Sequence, residues 1–190
     1  KSKGRLIVRD FQFPGRSPVI SANGMCATSN PLAAKVAVEL LERGGNAVDA
    51  AIAAAVILGI SEPQSTGIGG DCFALVSTPG EPVRALNGSG RAPAGLDVAA
   101  LRAEGETIAL GSTGAVTLPG AIDGFITLSE AMGKLGLDAS LEPAIRYAED
   151  GIPAGARTAF DWANNEATLR GDARTFYLND GQPLKIGEKF

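Results

Sequence analysis

The chain has 190 residues, 45% of them hydrophobic and 20% charged, a composition that folds rather than staying disordered and a length that a single domain can fill. Lys and Arg number 17 against 21 Asp and Glu, a net charge of −4. No general basic field therefore exists to hold nucleic acid, and the Lys1, Lys3, Arg5 and Arg9 cluster is only a terminal patch. Histidine is absent, which excludes Ser-His-Asp and Cys-His relays, His-ligated zinc and imidazole acid–base chemistry within these residues.

In chain order, KSKGRLIVRD is basic but leads into no apolar stretch, so no secretory signal is expected. Asn30-Pro31 offers an N-cap followed by a residue pre-set for the first helical turn, and predicts a helix running to Arg43. Its apolar stripe is Leu32, Val36, Leu40 and Leu41, with Lys35 and Glu39 spaced i,i+4 on the polar side. Gly44-Gly45 ends it. Asn46 caps a second helix, residues 47–59, with Asp49 at the third helical position in a variant of the capping box. AVDAAIAAAVILG is apolar nearly all round, so it is expected to be packed on several sides as a central element. The longest apolar run, Ala47 to Ile60, contains Asp49 and falls short of the roughly 20 residues needed to span a bilayer; no membrane partner is expected.

SEPQSTGIGGD is turn-rich, and residues 72–77 read as a buried strand that returns through Thr78-Pro79-Gly80-Glu81 into a hairpin partner, VRAL. Residues 87–95, NGSGRAPAG, read as a glycine-rich loop, 96–109 as a polar helical connector, and Ala115 to Leu118 as a short strand. Helices are expected over 121–135, over 141–150 with Ser140 or Asp138 as cap and Gly151 as stop, and over 156–169. Asn179-Asp180-Gly181 marks a turn. There is no internal repeat.

Few of these segments carry chemistry. Gly67-Ile68-Gly69-Gly70-Asp71-Cys72 puts Cys72 where a dinucleotide fingerprint needs glycine and precedes a strand instead of following one, so a phosphate cradle is rejected. Glu62 and Asp71 could bind metal or move protons, although solvated or capping roles are the commoner fate of such loop carboxylates. Glu149-Asp150 reads as solvent-exposed. Cys26 and Cys72 form no CxxC pair and read as apolar fillers. Arg91, set among glycines, could fork to a substrate carboxylate in two parallel hydrogen bonds; the competing reading is an ion pair that holds the loop. No metal site and no cofactor is expected.

The blocks NGMCATSNPLA (23–33), ELLERGGNAVDAAIAAAVILGISEP (39–63), STGIGGDCFAL (65–75), RAPAG (91–95), STGAVTLPGAIDGF (112–125) and EPAIRYAEDGIP (142–153) together resemble the gamma-glutamyltranspeptidases, which are N-terminal nucleophile hydrolases. The resemblance implies an α+β fold, a four-layer αββα sandwich of which this chain holds only part. Residues 1–190 would be the N-terminal portion of one domain, within the large subunit. It further implies a precursor that cuts itself, with a threonine at the start of the small subunit attacking a gamma-glutamyl amide while its own α-amine serves as base. That nucleophile would lie downstream, so no catalytic residue is assigned here; Thr28, Thr66 and Thr113 are expected to be structural. The implied partners are the small-subunit portion of the same precursor and a small-molecule gamma-glutamyl or related amide.

One departure touches specificity. Where family members carry the arginine that binds the α-carboxylate of the donor, this sequence has Ser89, and Arg91 stands two residues later. Ser89 and Arg91 are the substrate-binding candidates: either Arg91 reaches round through a flexible loop, or the donor is another amide, as in the cephalosporin or glutaryl acylases of the same fold. A noncatalytic, uncleaved scaffold protein is a further alternative. The two unpaired cysteines and the RDFQFPGRSP start favour the cytoplasm, with the periplasm as the other possibility.

Overall fold

The structure, a computed structural model, describes residues 18–190; the basic cluster Lys1 to Arg9 lies outside the described residues. Helix α1 spans Pro31–Glu42 and α2 spans Ala47–Ser61. Local chemistry sets both starts. The Asn30 side chain accepts from the Leu32 N–H, and Asn46 accepts from Val48 and Asp49 N–H while Asp49 accepts from the Asn46 N–H, a full capping box. Gly44, at φ 91°, makes the left-handed turn between the two helices.

Helix α2 is central, as its composition predicts. One side packs Ala50, Ala53, Ala54 and Ile57 against Ala33, Val36, Ala37 and Leu40 of α1 and Ala144 of α5 (Leu137–Asp150). Another packs Val48 and Ile52 against Phe125 and Leu128 of α4 (Ala121–Met132) and Cys72 of β1. Alanine at so many contact points lets the helices approach closely.

Strands β1 (Cys72–Val76) and β2 (Arg84–Gly88) pair antiparallel, with Cys72 opposite Gly88 and Phe73 opposite Asn87. The alternation of side chains turns Cys72, Ala74, Val76 and Leu86 toward α2 and α4. Phe73 and Leu75 face away and are 65% and 78% exposed. Helices thus cover one face of the hairpin and leave the other bare. Gly124 is the closest point of the α4 contact, where a Cβ would sit 2.9 Å from the Cys72 Cβ.

Several expectations are corrected. Ala115–Leu118 is not a strand: a 3-10 turn at Thr113–Ala115 leads into extended backbone that joins no ladder, with Leu118 N–H donating to the Arg91 carbonyl. The connector 96–109 is helical only over α3, Val98–Glu104, capped by Asp97. Helix α4 stops at Met132, before Gly133. Helix α5 begins at Leu137, a turn earlier than the Ser140 cap implies, because Gly136 at φ 85° turns the chain into it; Ser140 is buried inside, its hydroxyl donating to the Gly136 carbonyl. The 156–169 segment divides into α6 (Ala156–Asn165) and a 3-10 turn, Glu166–Thr168.

The C-terminal part closes on its own small core. A short helix, α7 (Ala173–Tyr177), and the expected turn at Asn179 to Gln182 bring the chain back. Ile152 and Phe190 then exchange backbone hydrogen bonds. Trp162 packs against Phe190 and Tyr177, with ring centroids 4.8 and 6.0 Å away. Buried Thr158 donates from its hydroxyl to the Ser61 carbonyl at 2.7 Å, tying α6 to the end of α2.

Candidate substrate-binding site

Three segments meet at the start of α4: the GIGG turn, the end of β2, and residues 118–120. The turn is tight, Gly70 N–H donating to the Gly67 carbonyl at 3.2 Å. The Gly70 carbonyl in turn accepts from both Gly120 and Ala121 N–H, at 3.0 and 2.9 Å, and so fixes where α4 begins. Beside it the β2 chain continues extended beyond Gly88. A Cβ on Gly88 would lie 3.2 Å from the Gly120 carbonyl oxygen, and a Cβ on Gly90 would overlap the Leu118 carbonyl.

Those contacts change the reading of the glycine-rich loop. Glycine stands at 88 and 90 to let two backbones touch, so the segment is pinned rather than flexible. Its first two residues belong to β2. Along it Gly88 and Gly90 are half-buried while Asn87, Ser89 and Arg91 are exposed. In the ladder Asn87 pairs with Phe73 and shares its face, and the alternation of exposed and half-buried residues continues from 87 to 91 beyond the strand end. Ser89 and Arg91 are thus both exposed, two residues apart just beyond the end of β2. Among the described residues the Arg91 side chain joins no ion pair, so the loop is held by backbone contacts instead of a guanidinium bridge. An exposed guanidinium and an exposed hydroxyl two residues apart suit an anionic group such as a carboxylate.

The other sequence candidates go elsewhere. Asp71 is exposed. Glu62 is 7% exposed, at the C-terminal end of α2, where it accepts from the Ser29 hydroxyl at 2.7 Å; it is a buried structural carboxylate, not a solvated one. Glu149 and Asp150 are exposed as expected. Cys26 and Cys72 are both free, and burial pushes each thiol up from its ordinary value, the opposite of what a nucleophile needs. A cavity of about 150 Å³ lies against the GIGG turn between Thr66, Asp71, Phe73 and Phe125. Among the described residues no group of His, Cys, Asp and Glu side chains could hold a metal ion, and no helix is long and apolar enough to cross a membrane. Sequence reasoning missed Asn87, whose Oδ1 accepts from the Ser89 N–H at 3.0 Å; Asn two residues before a turn donor is the signal that could have found it.

The gamma-glutamyltranspeptidase family description matches residues 33–190. The chain belongs to this family. It is 31% identical over 178 residues to the glutathione hydrolase proenzyme of Bacillus subtilis, covering 89% of this chain and 30% of that protein. It is 32% identical over 180 residues to the oxamate amidohydrolase proenzyme of Klebsiella pneumoniae, covering 90% and 34%. The chain thus spans about a third of the length of these relatives. Among solved structures, cephalosporin acylase from Bacillus halodurans superposes with a TM-score of 0.84 at 40% identity, covering 98% of this chain and 37% of that one. The fold is that of the N-terminal nucleophile hydrolases, mixed helix and strand as expected.

Proposed function

We propose that residues 1–190 are the first part of one gamma-glutamyltranspeptidase-like domain, and that the whole protein is a hydrolase or acyltransferase acting on a gamma-glutamyl amide. A threonine freed by self-cleavage beyond residue 190 would supply both nucleophile and base. The small-subunit portion of the same precursor would complete the fold. The bare face of the hairpin, with Phe73 and Leu75 exposed, supports that completion, because an apolar sheet face is stable only when covered. In this reading Arg91 forks to the donor carboxylate and Ser89 hydrogen-bonds beside it. The observation that carries the reading is the similarity to a glutathione hydrolase proenzyme across 89% of the chain.

A second reading is favoured by the position of the guanidinium. Arg91 lies two residues beyond Ser89, and the chain is 40% identical to a cephalosporin acylase. With the Arg91 backbone held beyond the place of Ser89, the groups around the carboxylate-bearing carbon of the donor differ from those of the gamma-glutamyl enzymes, which suits a donor that keeps the carboxylate but lacks the α-amine, such as a glutaryl amide.

The full-length precursor tests both. Intact mass and the N-terminal residue of any new fragment should report two chains, the smaller beginning with threonine. Turnover of gamma-glutamyl 4-nitroanilide over glutaryl 4-nitroanilide supports the first reading and the reverse order the second. Arg91→Ala should raise the donor KM far more than Ser89→Ala. Negligible effects of both would remove this face from the donor site, and a precursor that stays whole while folded would refute the threonine mechanism.

A further inference from the structure

The Asn87 side chain is exposed, as are Ser89 and Arg91, and its Oδ1 accepts from the Ser89 N–H at 3.0 Å. That bond closes a turn over Gly88, at the point where the β1–β2 ladder ends with Cys72 opposite Gly88. Beyond it the chain has no strand partner, and three contacts fix its course: Asn87 Oδ1 on Ser89 N–H, the packing of Gly90 on the Leu118 carbonyl, and Leu118 N–H on the Arg91 carbonyl at 3.0 Å. Two of the three are backbone contacts that any sequence permitting the close approach would make. The third depends on one side chain.

We infer that Asn87 is a positioning residue for the donor site, holding the Ser89 amide so that the Ser89 hydroxyl and the Arg91 guanidinium face the same carboxylate-bearing acyl donor. The inference rests on the reading of Ser89 and Arg91 as donor-binding side chains. Without the Asn87 acceptor, the Ser89 peptide, between the packed glycines 88 and 90, loses the one side-chain contact that sets its orientation. The defect then falls on donor binding and leaves bond cleavage untouched. An aspartate keeps the acceptor oxygen and the same turn.

The test uses the full-length, processed protein with gamma-glutamyl and glutaryl 4-nitroanilides as probes, comparing Asn87→Ala, Asn87→Asp, Ser89→Ala and Arg91→Ala. Asn87→Ala should raise KM about fivefold, the equivalent of one neutral hydrogen bond, with kcat within twofold. Asn87→Asp keeps the acceptor oxygen but sets a negative charge beside the donor carboxylate, so its KM should stay raised with kcat within twofold. Hydrogen exchange at the Ser89 amide, measured separately from activity, should quicken in Asn87→Ala and stay slow in Asn87→Asp. An unchanged KM in Asn87→Ala, while Arg91→Ala raises it, overturns the inference and leaves the donor reading standing. Unchanged KM in both Arg91→Ala and Ser89→Ala overturns the donor reading and the inference with it. A Ser89 amide that exchanges as slowly in Asn87→Ala as in the parent also overturns it, because Asn87 would then not be what holds Ser89.

Discussion

Asp49 is the position at which a one-residue change should do most damage away from the candidate site. Its side chain is 0% exposed. One oxygen accepts from the Asn46 N–H at 2.8 Å, and the carboxylate also accepts from the backbone N–H of Lys134 at 3.0 Å and of Leu135 at 3.1 Å, both in the α4–α5 connection. The same carboxylate thus closes the capping box of α2 and anchors the loop that follows α4. Asp49→Ala would leave three backbone N–H groups without an acceptor. Each such loss costs about 1–3 kcal/mol, more for a bond to a charged group, and partial relaxation brings the total to about 3–5 kcal/mol, in the severe tail of point mutations. Hydrogen exchange on the full-length protein reads this residue by residue: protection of the Lys134 and Leu135 amides should fall by about two to three orders of magnitude in Asp49→Ala. Asp49→Asn, which retains one acceptor oxygen but turns an NH2 toward backbone donors, should fall between. Glycine at 45 and 133 makes the room, since a Cβ there would come within 3.2 Å and 3.1 Å of the two Asp49 oxygens. Unchanged protection at Lys134 and Leu135, with an unchanged unfolding midpoint, would refute the reasoning.

Gly90→Ala should displace the Ser89–Arg91 segment, since the new Cβ overlaps backbone that cannot move aside; the expected outcome is a loss of stability of several kcal/mol, read from urea unfolding, and a midpoint equal to the parent's would show that the two backbones do not interlock. Thr158→Val keeps the volume but removes the donor to the Ser61 carbonyl and should cost about 1–2 kcal/mol by the same measurement. For Cys72, burial raises the folded-state thiol above its unfolded value. Its contribution to stability is therefore fully present below the unfolded thiol pKa, about 8.5, and is lost as pH rises through the higher folded value. Alkylation of native protein at pH 8 should accordingly be slower than of unfolded protein, and equal rates would contradict the burial.

The parts of the fold legible in the sequence were those decided within a few residues. Asn30 and the Asn46–Asp49 box cap their own helices, and Asn179 to Gln182 closes its own turn, so composition and spacing suffice. Failures came where a distant backbone decided. Val116 to Leu118 has strand-forming residues, but a single backbone bond, Leu118 N–H to the Arg91 carbonyl, joins it to the glycine-lined 88–91 segment, too few for a ladder. Glu62 looked like a loop carboxylate beside Pro63, yet Ser29, 33 residues away, covers it. The site suffered similarly: Arg91 could be named from its setting among glycines and Ser89 from the resemblance, but whether Gly88 and Gly90 serve close contact or freedom is something a single sequence cannot distinguish.

Helix α4 connects these two kinds of information. Its first residues are held by the Gly70 carbonyl beside the candidate site, and the loop after its last residue is held by Asp49 in the core. Between them Phe125 and Leu128 pack on α2 and the hairpin. A helix fixed at both ends acts as a strut: the Gly70 carbonyl sets its start, beside Leu118 and the Arg91 carbonyl that Leu118 binds, and Asp49 of the α2 capping box holds the loop after its end. The exposed candidates Ser89 and Arg91 therefore sit on a segment packed against the start of a helix whose far end is tied to the buried Asp49 carboxylate, and the segment is held without an ion pair of Arg91.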